Sequence, residues 1–282
     1  MKRFDVVFLM VALVAVLSSC GGINKAMRST DLDYRYEAAK QYYASGKYGN
    51  ATLLLGDVVN GLKGTERGGE ALFLYGMCKF EDADYDEANS YLNRYCRSYP
   101  QGVHAEEAKY YAARSLYLST PNVNLDQTDT YGAISEFQEF LEMYPESRYA
   151  ASVRDLIFEM QDKLILKQYN AAKLYYNLGD YFGNCTMGGS NYQACIITAE
   201  AAVKDYPYTK RKEEFAILIL RAKYKLAEQS IDEKKKDRYV EADDEYFGFS
   251  NEFPNSKYLS EAKKLYEKYN NQRKQNDGLQ ED

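Results

Sequence analysis

The sequence predicts an all-α protein, a helical solenoid of about five helix pairs with a C-terminal capping helix. The first observation is a corner in which an aromatic residue and a proline close a helical run. It occurs four times, as Tyr99-Pro100, Tyr144-Pro145, Tyr206-Pro207 and Phe253-Pro254. The second is a small residue twelve positions before each proline: Ala88, Ala133, Cys195 and Ala242. Because proline ends a helix and small side chains let helices cross closely, the pattern predicts one helix-turn-helix unit stacked repeatedly.

Capping residues, glycines and prolines set the predicted helix boundaries. Asp31 or Asp33 caps the first helix, and Gly46 ends it. Residues 147–178 contain neither glycine nor proline, which predicts one long helix of roughly 48 Å at 1.5 Å per residue. The predicted helices cover residues 33–45, 49–62, 70–81, 85–98, 102–119, 128–143, 147–178, 192–204, 209–229, 238–251 and 256–270. The last has the polar outer face of a cap, and residues 271–282 are predicted to be a disordered tail.

The second helix pair identifies the type of repeat. Leu72, Gly76, Tyr85, Ala88 and Pro100 stand at the spacings of the tetratricopeptide (TPR) pattern. In this pattern the glycine and alanine lie where the two helices cross, and the proline stops the second helix. The chain therefore contains TPR-like units, with units one to three over residues 31–145 and units four and five, with the cap, over residues 146–270.

The N-terminus predicts a secretory signal followed by a lipidation site. Lys2 and Arg3 precede an apolar stretch that ends at Leu17 and, at about 18 Å, is too short to cross a bilayer core of roughly 30 Å. Leu17-Ser18-Ser19-Cys20 resembles a bacterial lipobox, so residues 1–19 are predicted to be a signal peptide and Cys20 the lipidated first residue of the mature chain. Residues 20–30 would form a tether, and glycine rather than aspartate after Cys20 favours the periplasmic face of the outer membrane. The alternative is a soluble secreted protein whose first cysteine is incidental.

Composition argues against an enzyme, a metalloprotein or a nucleic-acid-binding protein. The chain carries a net charge of −6, no tryptophan and one histidine, His104. A Ser-His-Asp or Cys-His site would have to use His104, which is predicted to be a surface or capping group at a helix start. No basic block is long enough for a nucleic-acid footprint, and Lys234 to Lys236 are predicted to lie in a solvated turn. We predict no catalytic residue, no metal and no cofactor.

The cysteines after Cys20 match no zinc-binding spacing. Cys78, Cys96 and Cys195 fall within predicted helices, where small buried hydrophobic residues are expected. Cys185 and Cys195 are the one pair whose loop could allow a disulfide, and that question stays open at this stage.

Binding is expected on the groove lined by the first helix of each pair. The spacing directs Tyr36, Lys40 and Tyr43 of the first unit toward the groove, and Phe73, Met77 and Phe80 of the second. Aromatic and methionine side chains next to a lysine suit an extended peptide with apolar side chains and a free carboxylate. The alternative is that these residues pack between helices.

A lipobox followed by TPR-like units with Tyr-Pro-x-Ser-type corners resembles the BamD family of outer-membrane protein assembly lipoproteins. The corners that carry the resemblance are Tyr99-Pro100, Tyr144-Pro145-Glu146-Ser147, Tyr206-Pro207-Tyr208-Thr209 and Phe253-Pro254-Asn255-Ser256. Leu125-Asp126-Gln127-Thr128 is similar to the version of the family found in Bacteroides-like bacteria.

This resemblance implies a non-enzymatic role in inserting β-barrel proteins into the outer membrane. It implies that the N-terminal units receive unfolded β-barrel substrates and that the C-terminal units dock the barrel-assembly subunit, BamA. Carried onto this chain, docking would involve Lys204 and Asp205 before the Tyr206-Pro207 corner, and Lys210 and Arg211 after it. An insertion at residues 182–191 departs from the repeat in this half and could serve a lineage-specific partner.

Two other classes of lipoprotein compete with this interpretation. One is a different periplasmic TPR lipoprotein, acting as an adaptor in envelope division or polysaccharide export. The other is a glycan-binding helical lipoprotein of the SusD kind, which the absence of tryptophan and the shorter chain disfavour. The partner recovered with the protein discriminates between all three.

Overall fold

The computed structural model describes residues 22–179, 181 and 190–278, with side chains described as far as residue 273. Every regular element in these residues is a helix. They are α1 (residues 22–28), α2 (Leu32–Ala44), α3 (Tyr48–Gly61), α4 (Glu66–Glu81), α5 (Tyr85–Ser98), α6 (Ala105–Ser119), α7 (Thr128–Met143), α8 (Ala150–Leu178), α9 (Asn191–Asp205), α10 (Lys212–Glu228), α11 (Asp232–Glu252) and α12 (Leu259–Gly278). Helices α2 to α12 correspond, in order, to the predicted helices.

The helices pack sequentially, as a solenoid of helix pairs requires. In α2 to α7 each helix packs against the next, and among the first helices of these three pairs α4 contacts both α2 and α6. In the second part α10 packs against α9, α11 and α12. The predicted fold class, an all-α TPR-like solenoid with a C-terminal capping helix, is confirmed. The chain divides into two compact units between Phe158 and Glu159, inside α8, whereas the sequence predicted a boundary after Pro145.

Close helix crossings explain the repeated spacing of small residues within the pairs of helices. At Gly76 in α4, a Cβ atom would lie only 2.7 Å from Cγ of Leu92 in α5. Ala88, Ala133, Cys195 and Ala242, the residues twelve before each proline, are completely buried. Gly46, with φ of +69°, ends α2 in the left-handed conformation that glycine adopts without strain.

The Tyr-Pro-x-Ser corners are fastened to the preceding helix pair by hydrogen bonds. Ser147 Oγ donates to Glu106 in the first turn of α6 at 2.6 Å and accepts from the Tyr149 amide at 3.0 Å. Ser256 Oγ bonds Glu213 in α10 and accepts from the Tyr258 amide in the same way. The serine thus joins each corner both to its own next turn and to the unit before it.

The residue four positions after each proline forms a second fastening, because it lies over a side chain of an earlier first helix. His104 stacks on Phe73 with ring centroids 4.1 Å apart, and Tyr149 stacks on Tyr110 at 4.0 Å. In the second compact unit, which begins at Glu159, the Arg211 guanidinium lies 6.0 Å from the Tyr169 ring. The remaining pair is Tyr258 with Arg221 at 5.7 Å. Planar groups recur here because flat faces can pack between adjacent helices at short distance.

The predicted disordered tail is wrong for residues 271–278, which continue α12. Arg273 donates to the Asp243 carboxylate in α11 at 2.6 Å, and the Tyr224 hydroxyl donates to the other oxygen of Asp243 at 2.8 Å. Tyr269 stacks on Tyr224 with centroids 4.8 Å apart. These contacts bury one face of α12, which explains why a polar composition did not prevent helix formation.

Two other expectations are corrected. The tether predicted at residues 20–30 contains α1, whose Ala26 is only 1% exposed. The turn predicted at Lys234 to Lys236 lies inside α11, which begins at Asp232, because lysine and glutamate are good helix formers and solvate readily on an exposed face.

Cys78, Cys96 and Cys195 are free thiols, and burial raises the pKa of Cys78 and of Cys195 to about 12. Cys185, and most of the insertion at residues 182–191, lie outside the described residues. Among the described helices, none combines the length and apolar character needed to cross a membrane.

Candidate protein-binding surfaces

The first candidate surface is the face formed by the first helices α2, α4 and α6. Of the six residues predicted to line it, Tyr36, Phe73 and Met77 belong to the hydrophobic core, with exposures of 2%, 5% and 4%. The groove assignment is therefore wrong for these three, and the alternative, packing between helices, is correct for them. The ring of Phe73, for example, packs against Tyr95 of α5 and stacks on His104 at the start of α6.

Lys40, the charged member of the predicted set, remains accessible. Its ammonium pairs with Glu70 of α4 at 2.9 Å and lies 3.5 Å from the Tyr36 hydroxyl. Burial alone would raise the pKa of Glu70, but hydrogen bonds from Tyr36 and Lys40 outweigh it and hold that pKa below the ordinary 4.5. Burial and the bond to Glu70 raise the pKa of Tyr36 to about 12. This network links the first helices of units one and two beside the groove.

Tyr43 and Phe80 are half-buried and lie on a strip of aromatic side chains, which we call the aromatic strip, together with Tyr111 of α6. Phe80 meets Tyr111 edge to face, with centroids 4.9 Å apart. Burial raises the pKa of Tyr43 to about 12, so its hydroxyl is neutral at physiological pH. Sequence reasoning missed Tyr111, although the tyrosine-rich stretch from Tyr110 to Tyr117 in α6 was a usable signal.

The second candidate surface is the corner between α9 and α10. Lys204, Asp205 and Lys210 are exposed there, as the docking assignment requires, whereas Arg211 is half-buried and pairs with Glu214 of its own helix at 2.6 Å. Tyr208, which lies between Asp205 and Lys210 in the sequence, is 98% exposed. We call Lys204 to Lys210 the α9–α10 corner. In the sequence Tyr208 is distinguished only as part of the corner motif, because its exposure depends on how the corner turns.

A cleft of about 530 Å³ opens at the corner between α7 and α8, and includes Val103, Glu107, Ser147 and Arg148. Two of the three carboxylates that line it, Glu106 and Glu107, have partners within the fold. Ser147 donates to Glu106, and Glu107 lies 3.8 Å from both Arg148 and His104 Nδ1. The cleft is thus the outer side of the corner, shaped by bonds that stabilise the fold.

The described residues contain no group of three or more His, Cys, Asp or Glu side chains arranged to hold a metal ion. The imidazole ring of His104 packs flat on the ring of Phe73, and the backbone amide of His104 donates to the Tyr95 hydroxyl at 3.3 Å. Both surfaces place aromatic side chains next to charged ones, a combination that is common in protein interfaces.

Comparison with known proteins identifies the family of this chain. The family model YfiO, described as "Outer membrane lipoprotein", matches residues 28–238, which is most of the helical part of the chain. The chain belongs to the YfiO family. The resemblance to the BamD family seen in the sequence is thereby confirmed.

Two relatives carry the name "Outer membrane protein assembly factor BamD". The protein from Rickettsia prowazekii is 26% identical over 230 residues, covering 80% of this chain and 81% of its own. The protein from Caulobacter vibrioides is 23% identical over 176 residues, covering 60% and 58%. A crystal structure of TPR-like repeats from a Podosopora anserina kinesin light chain aligns with 80% of this chain and 97% of its own, at 15% identity and a TM-score of 0.32.

Proposed function

We propose that this YfiO-family protein is a non-enzymatic, lipid-anchored component of the outer-membrane β-barrel assembly machinery. In this role it is attached through Cys20 to the periplasmic face of the outer membrane. It receives unfolded β-barrel proteins on its N-terminal units and docks a BamA-like barrel-assembly subunit on its C-terminal units. The observation that carries the proposal is the family match over residues 28–238 together with the BamD relatives.

Substrate reception is assigned to the α2–α4–α6 face. The aromatic strip of Tyr43, Phe80 and Tyr111 supplies apolar contact for alternate side chains of an extended segment. Lys40, with its side chain 41% exposed, supplies the positive charge that a peptide carboxylate requires. To bind the carboxylate, Lys40 would exchange its bond with Glu70 for a bond with the ligand, so affinity for the peptide reflects the difference between the two.

Docking of the barrel-assembly subunit is assigned to the α9–α10 corner. Tyr208 is a large, rigid side chain at 98% exposure, and residues of this kind dominate the binding energy of protein interfaces. Lys204, Asp205 and Lys210 surround it and would act as the polar rim that selects the partner and its register. The core beneath, formed by Ala202 and Phe215 among others, keeps the corner rigid.

The experiment is co-purification of the tagged, lipidated full-length chain in detergent, with mass spectrometry of the recovered proteins. The expected result is a BamA-like subunit in near-equal amount. Recovery of division or polysaccharide-export components without that subunit would overturn the proposed function.

The same preparation tests the docking surface with Tyr208→Ala. Truncating an interface anchor costs about 2 kcal/mol, equivalent to a roughly 30-fold weaker Kd, so the recovered subunit should decrease strongly. Gln101→Ala is the matched control, because Gln101 also directly follows a corner proline and is exposed. Equal recovery by both variants would remove the α9–α10 corner from the docking surface.

A further inference from the structure

Helix α1 is docked onto the first repeat rather than free of it. A Cβ atom at Gly22 would lie 3.0 Å from the Tyr42 hydroxyl, so this side chain of α2 reaches the backbone of α1 there. Ile23 packs on the core of the first unit, and Ala26 is 1% exposed. At the end of α1, Met27 Sδ lies 3.9 Å from the Arg35 guanidinium. Contacts therefore extend along the helix from its first described residue.

These contacts define the direction of α1. Gly22 meets Tyr42 near the end of α2, and Met27 meets Arg35 near its beginning, so the two helices are antiparallel. The first residue of α1 thus lies toward the turn between α2 and α3, at Ser45 to Lys47. We call this the α2–α3 end.

The opposite end of the first unit is also identified by contacts. Gly64, just after α3, donates its amide to the hydroxyl of Tyr99, which follows α5, at 3.1 Å. The ends of α3 and α5 therefore lie together, about 20 Å from the α2–α3 end as judged from the length of α2 at 1.5 Å per residue. Val103, which is 92% exposed, lies in the corner that follows α5.

The chain length available for an anchor is very short. Only Gly21 stands between Cys20 and Gly22 in the sequence, and two residues span at most about 7 Å. Residues 22–28 contain no acidic side chain, and Lys25, in the first turn of α1 and therefore toward the α2–α3 end, is exposed. A positively charged segment of this kind is attracted to the anionic headgroups of phospholipids.

We propose that the α2–α3 end of the first repeat rests on the phospholipid headgroups of the membrane, because a single residue of the sequence separates Cys20 from α1 and α1 packs on the fold. The inference rests on lipidation of Cys20 in the proposed function. Its consequence is a defined orientation of the first unit, in which the α2–α3 end faces the lipid and the Val103 corner faces away. The groove helices then stand at a steep angle to the surface instead of moving freely around it.

Because the chain has no tryptophan, a single introduced tryptophan reports on the distance from the membrane. Ala44→Trp and Val103→Trp are suitable, since both native side chains are exposed and neither donates or accepts a side-chain hydrogen bond. Each lipidated full-length variant is reconstituted into phosphatidylethanolamine–phosphatidylglycerol vesicles that contain a lipid with a nitroxide on its headgroup. The reference for each variant is its fluorescence in detergent without the nitroxide lipid. Relative to this reference, we expect quenching of the indole fluorescence at position 44 and no quenching at position 103.

The matched control inserts roughly ten Gly and Ser residues between Gly21 and Gly22, a linker with an end-to-end distance of roughly 17 Å. The insertion leaves α1 and the anchor intact, so the quenching at position 44 should be lost. Equal quenching at positions 44 and 103, or undiminished quenching at 44 after the insertion, overturns the inference. The mass of the intact protein shows whether Cys20 carries the lipid. A chain without the lipid mass overturns both the proposed anchoring and this inference, whereas a lipidated chain with either of the results above overturns the inference alone.

Discussion

At the scale of single residues, the structure uses polar groups to join repeats as well as to face solvent. Ser147 and Ser256 each bond a glutamate in the first helix of the preceding pair, so a corner that could be a simple turn also fastens two units. Lys40, Glu70 and Tyr36 link the first two units on the groove side. Because hydrogen bonds to a charged group contribute about 1.5–3 kcal/mol each, these contacts are significant in a fold of marginal stability.

The Glu70 network makes stability depend on pH. The pKa of Glu70 is lower in the folded protein than its ordinary 4.5, so its ionised form stabilises the folded state above pH 4.5. That contribution is lost as the pH falls through the folded-state pKa, where the carboxylate gains a proton and releases Lys40. We expect the free energy of unfolding to decrease as the pH falls below 4.5, and to decrease less in Glu70→Gln. Urea unfolding followed by circular dichroism at several pH values measures both. Glu37→Gln, which removes an exposed carboxylate on α2, is the control. The prediction would be contradicted if the free energy of unfolding depended on pH identically in the wild type and in Glu70→Gln.

At the scale of helices, two glycines in similar sequence contexts have opposite expected effects. Gly76 in α4 faces Leu92, whose Cγ and Cδ2 atoms would lie 2.7 and 2.8 Å from an added Cβ. Gly132 in α7 has no atom within 4 Å of that position. We expect Gly76→Ala to destabilise by about 1–3 kcal/mol through overpacking, and Gly132→Ala to stabilise by about 0.5–1 kcal/mol through helix propensity. Thermal unfolding compares the two; a more stable Gly76→Ala variant would show that α4 and α5 can move apart without cost.

The order of the helices and several of their boundaries were predictable from the sequence, because capping residues, glycine and proline act locally, but the four helices after the proline corners begin three residues later than predicted. The starts of α5 at Tyr85 and α7 at Thr128 agree with the prediction. Helix α12 was underestimated because its continuation depends on Arg273 reaching Asp243 and Tyr239 of a different helix, with the guanidinium 5.2 Å from the Tyr239 ring. A contact of this kind leaves no trace in local composition, and the same holds for α1.

At the scale of the whole molecule, the surfaces were less predictable than the fold. Spacing along a helix says that Phe73 and Lys40 lie on the first helices, but burial separates them: Phe73 is 5% exposed, whereas the side chain of Lys40 is 41% exposed. Tyrosine makes this difficult, since its ring suits a core and its hydroxyl suits a wet surface. Tyr36 is buried and Tyr208 is almost fully exposed, although both are tyrosines on a repeat. Which residues bind a partner therefore depends on neighbours that only the folded chain supplies.

A sequentially packed fold also predicts how damage spreads. Each helix of the first unit packs mainly on its neighbours in sequence, so stability is approximately a sum of local and nearest-neighbour contributions. Gly76→Ala should then increase amide hydrogen exchange in α3 to α6, and leave α10 and α11 in the second compact unit nearly unchanged. Hydrogen exchange with mass spectrometry of peptides from both units, with Gly132→Ala as control, measures this. An equal increase in α4 and α10 would mean that the chain unfolds as one cooperative block, because only then does a crowded crossing at Leu92 weaken helices that it does not contact.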